Sequence, residues 1–372
     1  MRIGIETREL LQPGTGLKTY STQLIKYLKK VKKSSDKIFY FWGPYHGITD
    51  YLIDYNSIKI ETAKRSVTRR RLWTQIDLQY ELKKKRIDLY HSLSNYHLPV
   101  IKMVSTPMIL SLHDIIPILF PDKYGRLGKL KYKLASRNAD HILTLSKNSK
   151  NDIIKYLNID SEDITVTPLG VDEKFYLKNI NKDKLKEVKN KYGIRKKYLL
   201  VTGGTEYVKN IKMLFKVMNI GRKKFPELFE NIELVITSPK WMETNKPEIL
   251  GNSVNFIGYV EEKDFPVIMN GAEIFLFPSI YEGFGLPPLE AMASKTMVIS
   301  SNSSSLPEVI GNAGIVIEPN NPSLWAEKIS SVLKGNCREK YLKRGLERVK
   351  KFSWYKFAEK IYKVYEKTNF NK

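Results

Sequence analysis

One cysteine, Cys337, stands among 372 residues. An internal disulfide and a cysteine-held metal cluster are both excluded. No apolar run approaches the roughly 18–20 residues that a membrane-spanning helix needs. The N-terminal MRIGIETREL lacks the basic-then-apolar order of a secretory leader and reads directly as a strand. Together these absences lead to the expectation of a cytoplasmic protein. Internal repeats, low-complexity tracts and coiled-coil heptads are also missing.

Acidic residues are scarce beside basic ones, 39 against 63, for a formal net charge of +24. Such a surface favours phosphates, nucleic acid or anionic lipid. The charge is spread: residues 1–170 carry 29 basic and 16 acidic residues, net +13, leaving +11 for the rest. Spread lysine also suits plainly solvated faces. Residues 64–86 are denser, with nine basic residues and two acidic ones.

A chain of this length exceeds one ordinary core, and two domains are expected. Apolar runs of strand length alternate with helical patterns. RIGIE (2–6), a helix from about Leu17 to Lys33, KIFYFWG (37–43), SIKI (57–60), IDLYHS (87–92), PMILSLH (107–113), HILTLS (141–146) and ITVTP (164–168) form a first series. PLGVDEKFYLKNINKDK interrupts it near residue 170. YLLVTGG (198–204), IELVIT (232–237), VNFIGYV (254–260), EIFLFPS (273–279), TMVISS (296–301) and GIVIEP (314–319) form a second. Strand–helix–strand order repeated in this way implies parallel sheets covered on both faces. Two doubly wound domains follow, 1–170 and 171–352. Such sheets bind ligands beyond the carboxyl ends of their strands, and two of them can face a cleft.

YEGFGLPPLEAMA (281–293) sets two carboxylates seven residues apart in a setting of glycine, proline and apolar residues. Pro287 and Pro288 suit the first turn of a helix, where a missing N–H matters little. The amides of Gly283, Phe284 and Gly285 would then precede a helix N-terminus, which attracts anions such as phosphate. Glu282 is expected in the loop and Glu290 in the first helical turn. Carboxylates of this kind suit the vicinal diols of a sugar and a ribose. A phosphate with a diol on either side describes a nucleotide sugar. The plainer reading makes Glu290 a dipole-favoured first-turn acid and Glu282 a loop acid.

EGFGLPPLEAMA resembles the E-x7-E signature of the retaining glycosyltransferases of family 4, which have the GT-B fold of two Rossmann-like domains facing a cleft. The resemblance covers nearly the whole chain. It is strongest over 273–319, including SSNSSSLPEVIGNAG, and continues in VTPLGVDEKFY, SKNSKNDI, SLHDIIP and PGTGLKTY. It implies that the last helix, 353–372, packs back on the N-terminal, acceptor-side domain, and that 171–352 binds the nucleotide sugar. It assigns catalytic roles to Glu282, His113 and Lys209. Donor binding falls to Gly14, Gly16, Gly203, Gly204, Lys209, Tyr259, Val260, Glu282, Gly283, Phe284, Gly285, Leu286 and Glu290. Where many members have an Arg near the lysine, this chain has Gly204 and Val208, so the diphosphate rests more on Lys209. PGTGLKT itself fails the dinucleotide fingerprint, since its third glycine position is Thr19. A histidine at a strand end, such as His113, also commonly serves as a satisfied structural residue; for His91 and His97 that reading is preferred.

No two aspartates stand two apart, so the Asp-x-Asp pair of the other common transferase fold is absent, and neither a metal site nor a cofactor is expected. The leaving diphosphate would be stabilised by Lys209 and helix-end amides. KRSVTRRRLWTQIDLQYELKKKR reads as a basic amphipathic helix able to dock on the inner face of an anionic membrane. The rival reading turns Trp73, Ile76 and Tyr80 into the domain core. Segment 123–137, with six basic residues and no acidic one, could extend one positive face.

The combined expectation is a metal-independent transferase. It moves a hexose, mannose from GDP-mannose first, to an oligosaccharide or lipid-linked acceptor in surface polysaccharide or lipopolysaccharide synthesis. A nucleotide-sugar epimerase of the same architecture and a basic nucleic-acid-binding protein are the alternatives. No nucleic-acid partner is expected, because aromatics are not interleaved with the basic residues as stacking platforms.

Overall fold

A computed structural model of the protein describes residues 1–11, 16–41, 73–177, 181–238, 251, 253–335 and 337–370. The expected strand SIKI, Gly14, and residues 64–72 lie outside them. The chain divides into one unit of residues 1–169 with 354–372 and another of residues 170–353.

The first unit holds a six-stranded sheet, among the described residues, of β1 (Arg2–Glu6), β2 (Lys37–Phe41), β3 (Leu89–Ser92), β4 (Met108–Ser111), β5 (His141–Thr144) and β6 (Ile164–Val166). Its order is β2-β1-β3-β4-β5-β6, with every pair parallel. Ile3 pairs with Ile38 on one side and Leu89 on the other. β3, β4 and β5 are buried at every residue, which is why they read as continuous apolar runs. The chain steps from β1 outward to β2 and then back across to β3. The order therefore reverses between β1 and β3, the place where such sheets bind ligands.

The C-terminal helix Trp354–Phe370 belongs to this unit and packs on helix Gly16–Val31. Its inner face is aromatic. Phe357 meets Tyr20 edge-on at 5.1 Å between ring centres. The Tyr365 hydroxyl lies 2.6 Å from His91 Nδ1, and Tyr362 donates to Asp36.

The second unit comprises β7 (Lys197–Thr202), β8 (Ile232–Thr237), β9 (Val254–Phe256), β10 (Ile274–Phe277), β11 (Met297–Ser301) and β12 (Ile315–Ile317). They are ordered β12-β11-β10-β7-β8-β9, again all parallel. This is the dinucleotide-fold order, and its reversal lies between β7 and β10. The core on one face gathers Leu199, Leu234, Ile274, Ile299, Phe229 and the fully buried Trp325.

One expected face is corrected. Trp73 is buried, but Ile76 is 51 % and Tyr80 63 % exposed. Residues 73–77 form a π-helical stretch before helix Leu78–Lys84. The wide turn shifts the phase, so that Leu78 and Leu82 follow Trp73 inward in place of Ile76 and Tyr80.

Candidate functional site

The loops leaving β7 and β10 meet at the switch point of the second sheet. After β7 come Gly203 and Gly204, a 3-10 turn over Tyr207–Lys209, and helix Ile211–Lys224. Gly203 has φ +140, and a Cβ there would sit 3.5 Å from the Lys209 side chain. The positive φ is what calls for glycine here, since a Cβ at that distance would make only ordinary van der Waals contact with the lysine. Asn210 adopts the left-handed region at φ 52. Its side chain donates to the carbonyls of Pro278 at 3.3 Å and Pro319 at 3.2 Å. The Ile280 amide donates to Val208 O at 2.7 Å. Three strand ends are thereby tied around Lys209.

Lys209 Nζ lies 2.8 Å from Glu282 Oε1. The sequence separates this pair by 73 residues; the adjacency of β7 and β10 brings it together. Both side chains are largely, though not fully, covered. Two serines hold the loop that carries Glu282. Its amide donates to Ser304 Oγ at 2.9 Å. Ser305 Oγ donates to Glu282 O at 2.9 Å and to Phe284 O at 2.7 Å. Ser304 itself takes φ 51. SSNSSS was part of the sequence pattern, but its supporting task depends on β11 lying beside β10.

Gly285 caps helix Leu286–Ala293 at φ 107, and a Cβ there would approach Leu306 to 2.7 Å. Phe284 is buried and meets Phe352 edge-on, which makes its ring a packing element. Gly283, in the same loop, takes part in a contact within the protein. Glu290 is corrected. It lies in the second turn, because the helix begins at Leu286 and has no acid in its first turn. Burial pushes its carboxyl up to about 7, against the pull of Lys174 and with the help of Asp172. Near neutral pH it can therefore donate as well as accept.

The Gly204 backbone is covered by the Glu206 carboxylate. Tyr259 is 60 % exposed while Val260 is buried, both in the loop after β9. Gly16 opens helix Gly16–Val31 in the first unit. His113, also in the first unit, is buried. Its Nε2 lies 2.9 Å from Leu93 O, its amide donates to Asn95 Oδ1, and Tyr20 stands edge-on at 4.5 Å. The carbonyl fixes the Nε2–H tautomer, which makes Nδ1 the acceptor. Burial lowers its pKa to about 4. His91 is held between Tyr365 and Ser111 Oγ, and burial lowers it to about 3. That is a structural role.

Sequence reasoning missed Glu6. It ends β1 at the first sheet's own switch point and is 1 % exposed. Ser92 Oγ, at the end of β3, donates to it at 2.6 Å, and Ser94 Oγ at 3.2 Å. Arg8 and His97 lie 3.1 and 3.3 Å from its other oxygen. The only sequence signal was an acid at the end of an apolar strand. Among the described residues, no group of three His, Cys, Asp or Glu side chains is placed to hold a metal ion.

Comparison with known proteins adds to this geometry. The family described as "Glycosyl transferases group 1" matches residues 181–365, and "Glycosyltransferase Family 4" matches residues 16–175. O-antigen chain mannosyltransferase B of Escherichia coli is 27 % identical over 95 % of this chain and 96 % of its own. O-antigen chain mannosyltransferase RfbU of Salmonella typhimurium is 25 % identical over 88 % and 90 %. In fold, the chain is similar to Anabaena HepE, solved in complex with UDP-glucose. There the TM-score is 0.74 at 16 % identity, covering 99 % of this chain and all of that one.

Proposed function

The chain belongs to the glycosyltransferases, family 4 over its first unit and group 1 over its second, and from that premise we propose that it transfers mannose from a nucleoside diphosphate to an oligosaccharide or lipid-linked acceptor. Its two doubly wound units are of the GT-B class, and its activity is that of a hexosyltransferase in polysaccharide synthesis. Mannose is favoured because two relatives matched over most of their length are named mannosyltransferases. The single observation that carries the site assignment is the Lys209–Glu282 pair at the switch point of the second sheet.

A cation and a carboxylate 2.8 Å apart neutralise each other until a ligand offers each a better partner. A diphosphate draws the ammonium, a compact point charge well suited to phosphate. Sugar hydroxyls then donate to the Glu282 carboxylate. As the bond from the anomeric carbon to the diphosphate breaks, negative charge grows beside Lys209 and the N-terminus of helix Leu286–Ala293, and both stabilise it. The acceptor oxygen bonds to that carbon, and its proton leaves with the departing phosphate. Glu290 takes the ribose diol. Tyr259 and Val260 hold the base through their backbone.

A panel of nucleotide sugars tests the donor. The matching one should raise the melting temperature, by about 3 kcal/mol of stabilisation at a hundred times its dissociation constant, and should support transfer to acceptor. If no nucleotide sugar shifts the melting curve, the assignment fails. A product formed from donor alone would instead indicate an epimerase. Transfer should continue at the same rate in EDTA; a lost rate that Mg²⁺ or Mn²⁺ restores would overturn a reaction resting on Lys209 and helix-end amides.

A further inference from the structure

We propose that a ridge on the first unit, built from Ile76, Tyr80, Val100, Ile101 and Met103, seats on the surface of an anionic lipid bilayer. These side chains are 51, 63, 47, 69 and 60 % exposed. A set of large apolar groups held together in water marks an interaction surface.

The ridge is built into the fold. Gln75 Oε1 accepts the Val100 amide at 2.8 Å. Gln79 donates to Ile101 O at 3.0 Å and accepts the Met103 amide at 2.6 Å. Asn138 donates to the carbonyls of Pro99 and Val100 at 2.7 and 2.6 Å. Two glutamines on the stretch 73–84 and one asparagine thus spend their hydrogen bonds fixing a loop whose side chains point away from the core. The π-helical stretch turns Ile76 and Tyr80 outward beside it.

The border decides the occupant. Asn138 caps helix Arg126–Arg137, so that helix abuts the loop. Residues 123–137 carry six basic residues and no acidic one. Leu130 is 55 % exposed on the helix, and Lys131 lies 5.6 Å over the ring of Tyr96, itself 40 % exposed. Near the ridge, Asp140 is paired by Lys102 and Glu81 by Lys85. An apolar surface rimmed by positive charge matches an anionic interface, where aliphatic groups enter the acyl boundary, tyrosines sit at headgroup level and lysines meet phosphate. A second copy on this face would bring two like-charged borders together, which opposes association. Nucleic acid would meet the charge but find Ile, Val and Met where base stacking needs rings. Among the described residues no helix is long and apolar enough to cross a membrane.

The test uses the full chain in sedimentation with vesicles, so it reads independently of sugar transfer. Vesicles of phosphatidylcholine alone are compared with vesicles containing phosphatidylglycerol. Wild type should bind the anionic vesicles and release as salt rises. I101S combined with M103S should weaken binding about tenfold or more, since apolar burial drives partition. K129Q, K131Q and K133Q together should lose at least as much. All of these positions are at the surface, so the variants should keep the wild-type melting temperature and circular dichroism. The proposal is overturned if wild type ignores anionic vesicles, binds neutral ones equally, or binds as before with both variants. A wild-type dimer in light scattering that I101S/M103S dissolves, without vesicle binding, would give the face to a second copy and also overturn it.

Discussion

Replacing Glu282 by Gln should lower sugar transfer by about a hundredfold or more while the fold is kept. The substitution preserves shape and removes one charge. Each hydrogen bond from a sugar hydroxyl to a carboxylate contributes about 1.5–3 kcal/mol. Two such bonds, made strongest in the transition state, correspond to roughly 10²–10⁴ in rate. The loss should fall on kcat/KM and mainly on kcat. Stability should hardly change. The Lys209–Glu282 pair is partly open to solvent, and such pairs are worth about 1 kcal/mol or less. The serine bonds to the loop use backbone atoms of Glu282, which the substitution leaves in place. Steady-state kinetics beside a melting curve decide it. Transfer within threefold of wild type would remove Glu282 from the reaction, and a collapsed melting curve would make it a structural residue.

Acid should unfold the first unit early, and Glu6 should account for a large part of the loss below pH 4.5. Burial alone would raise this carboxyl. The charges of Arg8 and then His97, with hydrogen bonds from His97 and Ser92, outweigh it and hold the group at about 2 against an ordinary 4.5. A group depressed in the folded state stabilises above its unfolded value, and that stability drains away as pH falls from about 4.5 towards 2. The gap corresponds to about 3 kcal/mol. His91, lowered to about 3, and His113 and His141, lowered to about 4, act in the same direction. Each is neutral when folded and takes a proton on unfolding, so each withdraws stability as pH falls below 6.5. Glu290 in the second unit runs the other way, since its raised value stabilises at low pH and fades as pH rises through about 7. Glu6→Gln should therefore be costly at neutral pH, about 3–5 kcal/mol, because it removes the buried, charged half of an ion pair that Arg8, Ser92 and Ser94 are arranged around. It should also flatten the loss below pH 4.5. Denaturant unfolding followed across pH measures both. A Glu6→Gln protein as stable as wild type at neutral pH would show that Arg8 finds water and that the cluster is not a buried one.

Much of the fold was legible along the chain. IELVIT and RIGIE coincide with β8 and β1 residue for residue, and the other described strands fall inside their expected runs or within one residue of them. Parallel strands covered on both faces leave continuous apolar segments, which need no partner to be recognised. Runs such as YLLVTGG overshoot, because the sheet ends at Thr202 and the glycines beyond belong to the site loop. Glu282 stood out for a local reason, since glycine and proline follow a buried strand with charge among them, whereas Lys209 was singled out by the family resemblance alone.

What the chain order could not display is which strand ends become neighbours. Lys209 meets Glu282 only because β7 pairs with β10, and Ser92 reaches Glu6 only because β3 pairs with β1. Ser304, Ser305 and Asn210 look like ordinary loop residues until those pairings are made. Glu290 moved from the first turn to the second because the left-handed Gly285 starts the helix at Leu286, which makes Glu290 its fifth residue. Ile76 and Tyr80 kept a helical spacing in the sequence, yet one π turn rotated them into solvent. Periodicity and turn chemistry act over a few residues and are written in local order. Charge pairing, helix phase and surface patches arise from contacts across tens of residues, which only the packed sheets bring about.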